Sequence, residues 1–429
     1  MKPYNELTKS ELESEYAQLK QEYDAICAKG LALNMARGKP SAAQLDLSMP
    51  MLGMLQNAYD CLAEDGTDCR NYGVLEGLPE ARKLMAVILD DSPENTIVFG
   101  NASLTIMHDT IWRLWTFGAP DGQPWCKLPK VKWLCPAPGY DRHFAITQAF
   151  GIEMIPVQMT DEGPNMAHVE QLAGEDASVK GIWCVPKYSN PTGITYSTEV
   201  VRRLASMKCA ASDFRIFWDN AYSVHHLYGS ENKQDKLADI YKVCCEAGNP
   251  ERSFKFASTS KITFPGAGIS AMAASPKNMA WVKKHMAAQI ISHDKLNQLR
   301  HVHFLNSSEK LKSHMAKHAE ILQPKFALVD KMLNDKLSEV GSCSWTKPRG
   351  GYFVSFNTPA GCAKRTVELC KQAGVVLTGA GATYPCGSDP TNSNIRIAPS
   401  MPPLNELESA LDVFCCCVKL AYAEKLLEQ

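Results

Sequence analysis

Hydrophobic and polar positions fall into three successive patterns along the chain. Near the amino terminus Leu12, Tyr16, Leu19, Tyr23 and Ile26 recur at alternating gaps of four and three, the spacing that lines one face of an α-helix. Thr8-Lys9-Ser10-Glu11 ahead of them has the form of a capping box, and Lys29-Gly30 closes the pattern, so one amphipathic helix is predicted. Residues 31–36 then read as a short strand running into the loop Arg37-Gly38-Lys39-Pro40. From about residue 66 short apolar runs (Ile97-Val98-Phe99, Trp133-Leu134-Cys135, Ile182-Trp183-Cys184-Val185) alternate with helical patterns. That alternation predicts an α/β fold with a mainly parallel sheet between helices. After about residue 310 a helical stretch precedes three strand-like runs, at 351–356, 374–378 and 394–398, which predict a smaller α+β domain. A last helix is predicted from Pro403 onward, with Leu404, Leu407, Leu411, Phe414, Val418 and Tyr422 on one broad face. The expected organisation is 1–65 as an amino-terminal helix and loop segment joining the small domain, 66–309 as the large domain and 310–429 as the small one.

Composition narrows the class without identifying it. The chain has 429 residues, 45% hydrophobic and 21% charged, with a formal net charge of −1, so no global field draws it to nucleic acid or an anionic membrane. Its amino terminus lacks the apolar core of a signal peptide and no run approaches the ~18 apolar residues of a membrane span, so a cytoplasmic protein without membrane contact is expected. The sixteen cysteines fall singly or as Cys244-Cys245 and Cys415-Cys416-Cys417, with no Cys-x-x-Cys pair. Side chains of adjacent helical residues diverge by ~100°, so these runs cannot converge on one metal, and reduced, mostly buried thiols are expected. His314 and His318 share a helical spacing but have no third ligand in view, and no metal is expected.

The chemistry concentrates in three places. Ser258-Thr259-Ser260-Lys261 puts one lysine behind small hydroxyl residues, an arrangement in which the hydroxyls bond phosphate oxygens while the amine reaches an aldehyde of the same molecule. Ser-x-x-Lys also occurs in serine acylases, so the motif needs support. Residues 181–193 read as a buried strand ending in the turn Asn190-Pro191-Thr192-Gly193, which fixes the Asn190 amide at a strand's carboxyl end, where ligands of open α/β sheets sit. The apolar run 214–218 delivers Asp219, with Tyr222 three residues on.

Asn190-Pro191-x-Gly193, Asp219-x-x-Tyr222 and Ser258-x-Ser260-Lys261, separated by 29 residues from Asn190 to Asp219 and 42 from Asp219 to Lys261, resemble the class I/II aminotransferases. These are fold-type-I enzymes dependent on pyridoxal 5′-phosphate. The resemblance extends to Asn71-Tyr72-Gly73, the run 100–104, Pro138-Gly139-Tyr140, Gly350-Gly351-Tyr352-Phe353 and Asn394-Ile395-Arg396-Ile397, and so covers nearly the whole chain. It implies a seven-stranded-type sheet and a set of roles. Lys261 would carry the cofactor and move protons, and Asp219 would hold the proton on its ring nitrogen. Asn190 and Tyr222 would donate to its phenolate oxygen, and Tyr140 would stack on the ring. Ser103 and Leu104, at a helix start, would bind the phosphate with Ser258 and Ser260. Tyr72 would reach the phosphate of the other subunit in a homodimer with shared sites. Arg396 would take the substrate α-carboxylate, with Asn190 beside it, and the Arg37-Gly38 loop would lie over the substrate.

One departure stands out. The family usually places an arginine about eight residues after the lysine to pair with the phosphate, and residues 262–269 contain none. Lys187, Arg142 and Lys295 are the candidates to replace it. With the segments around Arg37-Gly38 and Pro138–Phe144, this absence resembles a bacterial subgroup that includes aspartate aminotransferases and is related to the catalytic-like domain of MocR regulators. The resemblance therefore implies an amino acid and a 2-oxo acid as substrates, aspartate with 2-oxoglutarate first. Arg37 is the candidate for the distal carboxylate, with His143 and Lys295 as alternatives. A β-lyase or aspartate decarboxylase on the same scaffold is the alternative enzyme. A non-catalytic MocR-type effector-binding protein is the reading from another class; the roughly 30 residues ahead of the Arg37 loop are too few and too acidic for a DNA-binding module.

Overall fold

The computed structural model describes residues 2–120 and 122–428. Its large sheet runs in the order Thr96–Phe99, Ser270–Ala274, Ser253–Ser258, Arg215–Asp219, Val179–Cys184, Lys132–Ala137, Glu153–Thr160 and Gly163–Pro164. The five strands from Ser253–Ser258 to Glu153–Thr160 are mutually parallel. Ser270–Ala274 pairs antiparallel with both its neighbours. The eighth member, the two-residue Gly163–Pro164, forms an antiparallel hairpin on the outer edge and extends the seven-stranded-type expectation.

Central strands here are buried on both faces, and alternate residues feed two different cores. Trp133, Trp183, Phe217 and Phe254 point to one side, where they meet Ile106, Ile111 and Leu114 of the helix Ser103–Phe117. Leu134, Ile182, Ile216 and Trp218 point to the other, against Val169 of Met166–Glu175 and Val201 and Leu204 of Thr198–Ser206. The pairing Trp183↔Phe217 and Phe217↔Phe254 keeps the aromatic side in register. A one-residue slip would turn these rings to the wrong face. The carboxyl ends of the parallel strands therefore coincide at one rim, and the loops carrying Tyr140, Asn190, Tyr222 and Lys261 all leave from it.

A three-stranded antiparallel sheet, Ser344–Trp345, Val354–Asn357 and Asn394–Ile397, lies in the carboxyl-terminal part. The run at 374–378 contributes only Val375–Val376, paired in parallel with Leu33–Asn34. The helix Lys9–Cys27 begins with the Thr8 capping box and buries Leu12, Leu19, Tyr23 and Ile26. These join one hydrophobic cluster with Leu322, Phe326 and Val329 of the helix Ser308–Leu337 and with the last helix, Leu404–Leu427. That last helix departs from the one-faced expectation. Leu404 is 46% exposed, whereas Val413, Cys415, Cys416, Cys417 and Leu420 are all buried. Three helices and a sheet surround it, so its small and sulfur-bearing positions are core as well. All sixteen cysteines are free. Among the described residues no helix is long and apolar enough to cross a membrane.

Candidate active site

Lys261 stands on a turn just past the strand Ser253–Ser258. Thr259, fully buried, closes that turn: its amide donates to Ile269 O at 2.8 Å and its hydroxyl accepts from the Ile269 amide at 3.0 Å. The lysine amine lies 4.8 Å from the centre of the Tyr222 ring. Burial lowers its pKa below the usual lysine value, with Asp219 pulling the other way. Such a shift enlarges the neutral, nucleophilic fraction of the amine. A cavity of about 220 Å³ opens here, and Ser103, Leu104, Tyr140, Asn190, Asp219, Tyr222, Ser258, Ser260 and Lys261 all line it. Arg37, Gly38, Tyr72 and Arg396 do not.

Asp219 ends the strand Arg215–Asp219 and is 3% exposed. Its Oδ2 meets His143 Nε2 at 3.1 Å, and its buried Oδ1 has no partner. His143 is held by stacking on Trp183, with centroids 4.5 Å apart and planes 14° from parallel, and by the edge of Tyr140 at 4.9 Å. Sequence reasoning named His143 only as a partner for a distal carboxylate. The helix Asp141–Ala149 instead turns position 143 inward, where it is 1% exposed and serves Asp219. The available signal was its spacing: three residues after Tyr140, in the first turn of a helix.

At the other end of the cavity the helix Ser103–Phe117 begins after Ala102, which supplies no side-chain cap. The amides of Ser103 and Leu104 have no acceptor among the described residues, so a 15-residue helix presents open N–H groups and its positive dipole end to the cavity. Ser258 Oγ donates to Ser260 Oγ at 3.0 Å, and Ser260 Oγ to Asn101 O at 3.2 Å. Of the cations proposed to replace the usual arginine, none lines the cavity. Lys295 is 3% exposed and donates to Asn71 O at 2.7 Å and Gly73 O at 3.0 Å, so it anchors the loop that carries Tyr72. Lys187 sits over the Tyr188 ring, and Arg142 lies outside near Asp141. Among the described lining residues Lys261 is the one cation. An unpartnered carboxylate oxygen, a depressed amine, uncapped helix amides and two hydroxyls fit a phosphorylated pyridine aldehyde.

Arg396, on the strand Asn394–Ile397, borders the cavity through Asn190. Its Nη1 donates to Asp141 Oδ1 at 3.0 Å and Asn190 Oδ1 at 3.1 Å, and its Nη2 to Thr378 Oγ1 at 3.3 Å. Nε, buried, has no partner. Phe353 covers one face, 4.9 Å from the guanidinium carbon. Gly38 packs against the same ring so closely that a Cβ there would fall 2.4 Å from Phe353 Cζ. Arg37 beside it is exposed, and no hydrogen bond or ion pair engages its guanidinium among the described residues. Tyr72 is 79% exposed.

Behind the lysine lies a buried polar chain that the sequence did not announce. Ser41 N donates to Gln44 Oε1 at 3.0 Å; Gln44 Nε2 lies 2.8 Å from Tyr352 Oη and 3.1 Å from His318 Nδ1. Tyr352 Oη donates to Lys261 O at 3.4 Å, and His314 Nε2 to Ile262 O at 2.7 Å, with His318 Nε2 3.1 Å from His314 Nε2. Burial lowers the His318 pKa to about 4. Of the two histidines that the sequence set aside as a metal pair, His314 thus holds the backbone of the lysine turn.

Comparison with known proteins converges on one family. The sequence profile described as "Aspartate amino-transferase" matches residues 7–429. An aspartate aminotransferase from Corynebacterium glutamicum is 45% identical over 410 residues, covering 95% of this chain and 94% of that protein. The crystal structure of an aspartate transaminase from the same organism superposes with a TM-score of 0.95 at 44% identity, covering 99% of both chains. An α-aminoadipate aminotransferase from Thermus thermophilus shares the fold alone, with a TM-score of 0.71 at 18% identity over 94% of this chain and 95% of that one.

Proposed function

Because the chain belongs to the aspartate amino-transferase family, pyridoxal 5′-phosphate-dependent enzymes that exchange amino groups between amino and 2-oxo acids, we propose that its reaction is the transfer of the amino group of L-aspartate to 2-oxoglutarate. We place this reaction in the cytoplasm. The observation that carries the reading is the pairing, across one cavity, of the depressed amine of Lys261 with the partnerless oxygen of Asp219. Bound there, the cofactor supplies an electron-poor ring that takes up charge from the substrate Cα. Asp219, supported by His143, keeps the ring nitrogen protonated. Ser103, Leu104, Ser258 and Ser260 hold the phosphate, while Asn190 and Tyr222 donate to the phenolate oxygen. Tyr140 would cover the ring, and Lys261 would take the proton from the substrate Cα and carry it to the C4′ side of the cofactor.

Arg396 receives the α-carboxylate in this reading, and Arg37, exposed next to the glycine that packs on Phe353, takes the distal one. Support for aspartate comes from the relative of that name at 45% identity. Loss of the Arg37 guanidinium is expected to lower kcat/KM for aspartate and glutamate about tenfold or more, as for a charged hydrogen bond, with little change for alanine. Loss of Arg396 should lower all three. Equal losses with Arg37→Ala across the three amino acids would assign the distal carboxylate elsewhere.

The active unit in this reading is a homodimer. Tyr72 is exposed on its own chain, on a loop that the buried Lys295 pins in place, and is free to serve a second copy. Mixing inactive Lys261→Ala and Tyr72→Ala proteins under subunit-exchanging conditions should restore part of the activity. A monomer that is fully active in sedimentation would refute the shared site.

A further inference from the structure

Arg396 already holds a carboxylate of its own chain. Asp141 Oδ1 accepts from Nη1 at 3.0 Å, on the arginine whose other contacts are neutral: Asn190, Thr378 and the Phe353 ring. A guanidinium that is 7% exposed is costly to leave without a counter-charge, and Asp141 supplies one when no substrate is bound. The pair is nevertheless built to part. Elsewhere in this chain Arg203 with Glu170 and Arg365 with Glu424 make two-pronged bridges, each through two nitrogens to two oxygens. Asp141 offers Arg396 a single oxygen. Its other oxygen lies 3.9 Å from Arg142 Nε, its side chain is 31% exposed, and Arg142 is 54% exposed. A second seat therefore stands beside the first, reachable by side-chain rotation. Asp141 also occupies the first turn of the helix Asp141–Ala149, whose dipole favours its charge in either seat.

Resting on the assignment of Arg396 to the α-carboxylate, we propose that Asp141 is an affinity-setting residue: a resident carboxylate that competes with the substrate for Arg396 and moves to Arg142 when the substrate docks. Its presence offsets part of the attraction between Arg396 and any carboxylate. Substrate and product are both held less tightly, by a common factor for every carboxylate that displaces Asp141.

The test is calorimetric binding of succinate, a dicarboxylate without an amino group, to the holoenzyme. Asp141→Asn keeps an oxygen for Arg396 but removes the competing charge, and should tighten succinate about two- to fivefold, the range of a part-exposed ion pair. KM for aspartate should fall in parallel, without a rise in kcat. Arg142→Gln removes the second seat and should change affinity in the opposite direction. Unchanged or weaker succinate binding by Asp141→Asn, or tighter binding by Arg142→Gln, overturns the proposal. Arg396→Gln separates the two layers. If it binds succinate like the unaltered protein, the α-carboxylate assignment is what fails; if it loses binding while Asp141→Asn gains none, only the role of Asp141 fails.

Discussion

Replacing Lys261 with alanine is expected to cut turnover by more than the ~10²–10⁴ attributed to a positioned acid–base group, because in the proposed reaction the same amine would also anchor the cofactor covalently. The structure makes the lysine hard to replace. It is the one cation among the described residues of the cavity, its amine lies 4.8 Å from the centre of the Tyr222 ring, its own carbonyl is held by Tyr352 and His225, and the Ile262 carbonyl by His314. The measurement is single-turnover transamination together with borohydride reduction. The unaltered protein should become irreversibly labelled with cofactor and the variant should not. Labelling of the alanine variant with near-normal turnover would remove Lys261 from the reaction.

Asp219→Ala should separate binding from chemistry. The end of the cavity proposed to hold the phosphate, with the open amides of Ser103 and Leu104 and the hydroxyls of Ser258 and Ser260, is untouched by the change, so the cofactor should still bind. Turnover should fall on the order of 10²–10³, the size of losing one preorganised electrostatic partner. His143 cannot substitute. It is held by stacking on Trp183 at 4.5 Å, and an imidazole brings no negative charge to set against a protonated ring nitrogen. Cofactor absorbance after gel filtration, set beside the half-reaction rate, reads both effects. Full activity with full retention would return Asp219 to a purely structural role.

Much of this was legible in the sequence because it is local. The short apolar runs Trp133-Leu134-Cys135 and Ile182-Trp183-Cys184-Val185, alternating with helical patterns, already marked buried strands of a mainly parallel sheet. The order of Asn190, Asp219 and Lys261 placed three groups at three strand ends, and strand ends of a parallel sheet share a rim by construction. What was hidden depends on pairs that no local pattern joins. Arg396 and Asp141 are 255 positions apart, and Gln44 and His318 are 274 apart. His143 carried a helical spacing, but its duty to Asp219 follows from the orientation of one helix on the sheet. Leu404 read as core because its period matched, yet it precedes the point where the last helix enters the packed cluster.

The chain from Ser41 to the lysine turn has a direction as well as a shape. The Ser41 amide fixes the oxygen of Gln44, so the nitrogen of that amide faces Tyr352 and His318. His318 must then leave Nδ1 bare and carry its proton on Nε2, which lies 3.1 Å from His314 Nε2, while Tyr352 is free to turn its own proton to Lys261 O. Along the branch through Tyr352 every donor points from the amino-terminal segment to the lysine. A glutamate at position 44 would match glutamine in size and reverse that arrow: it would call the Tyr352 proton away from Lys261 O and demand one on His318 Nδ1. The fit of residues 41–46 against the catalytic turn is thus read by polarity, and a substitution invisible to packing would be conspicuous to the proton inventory.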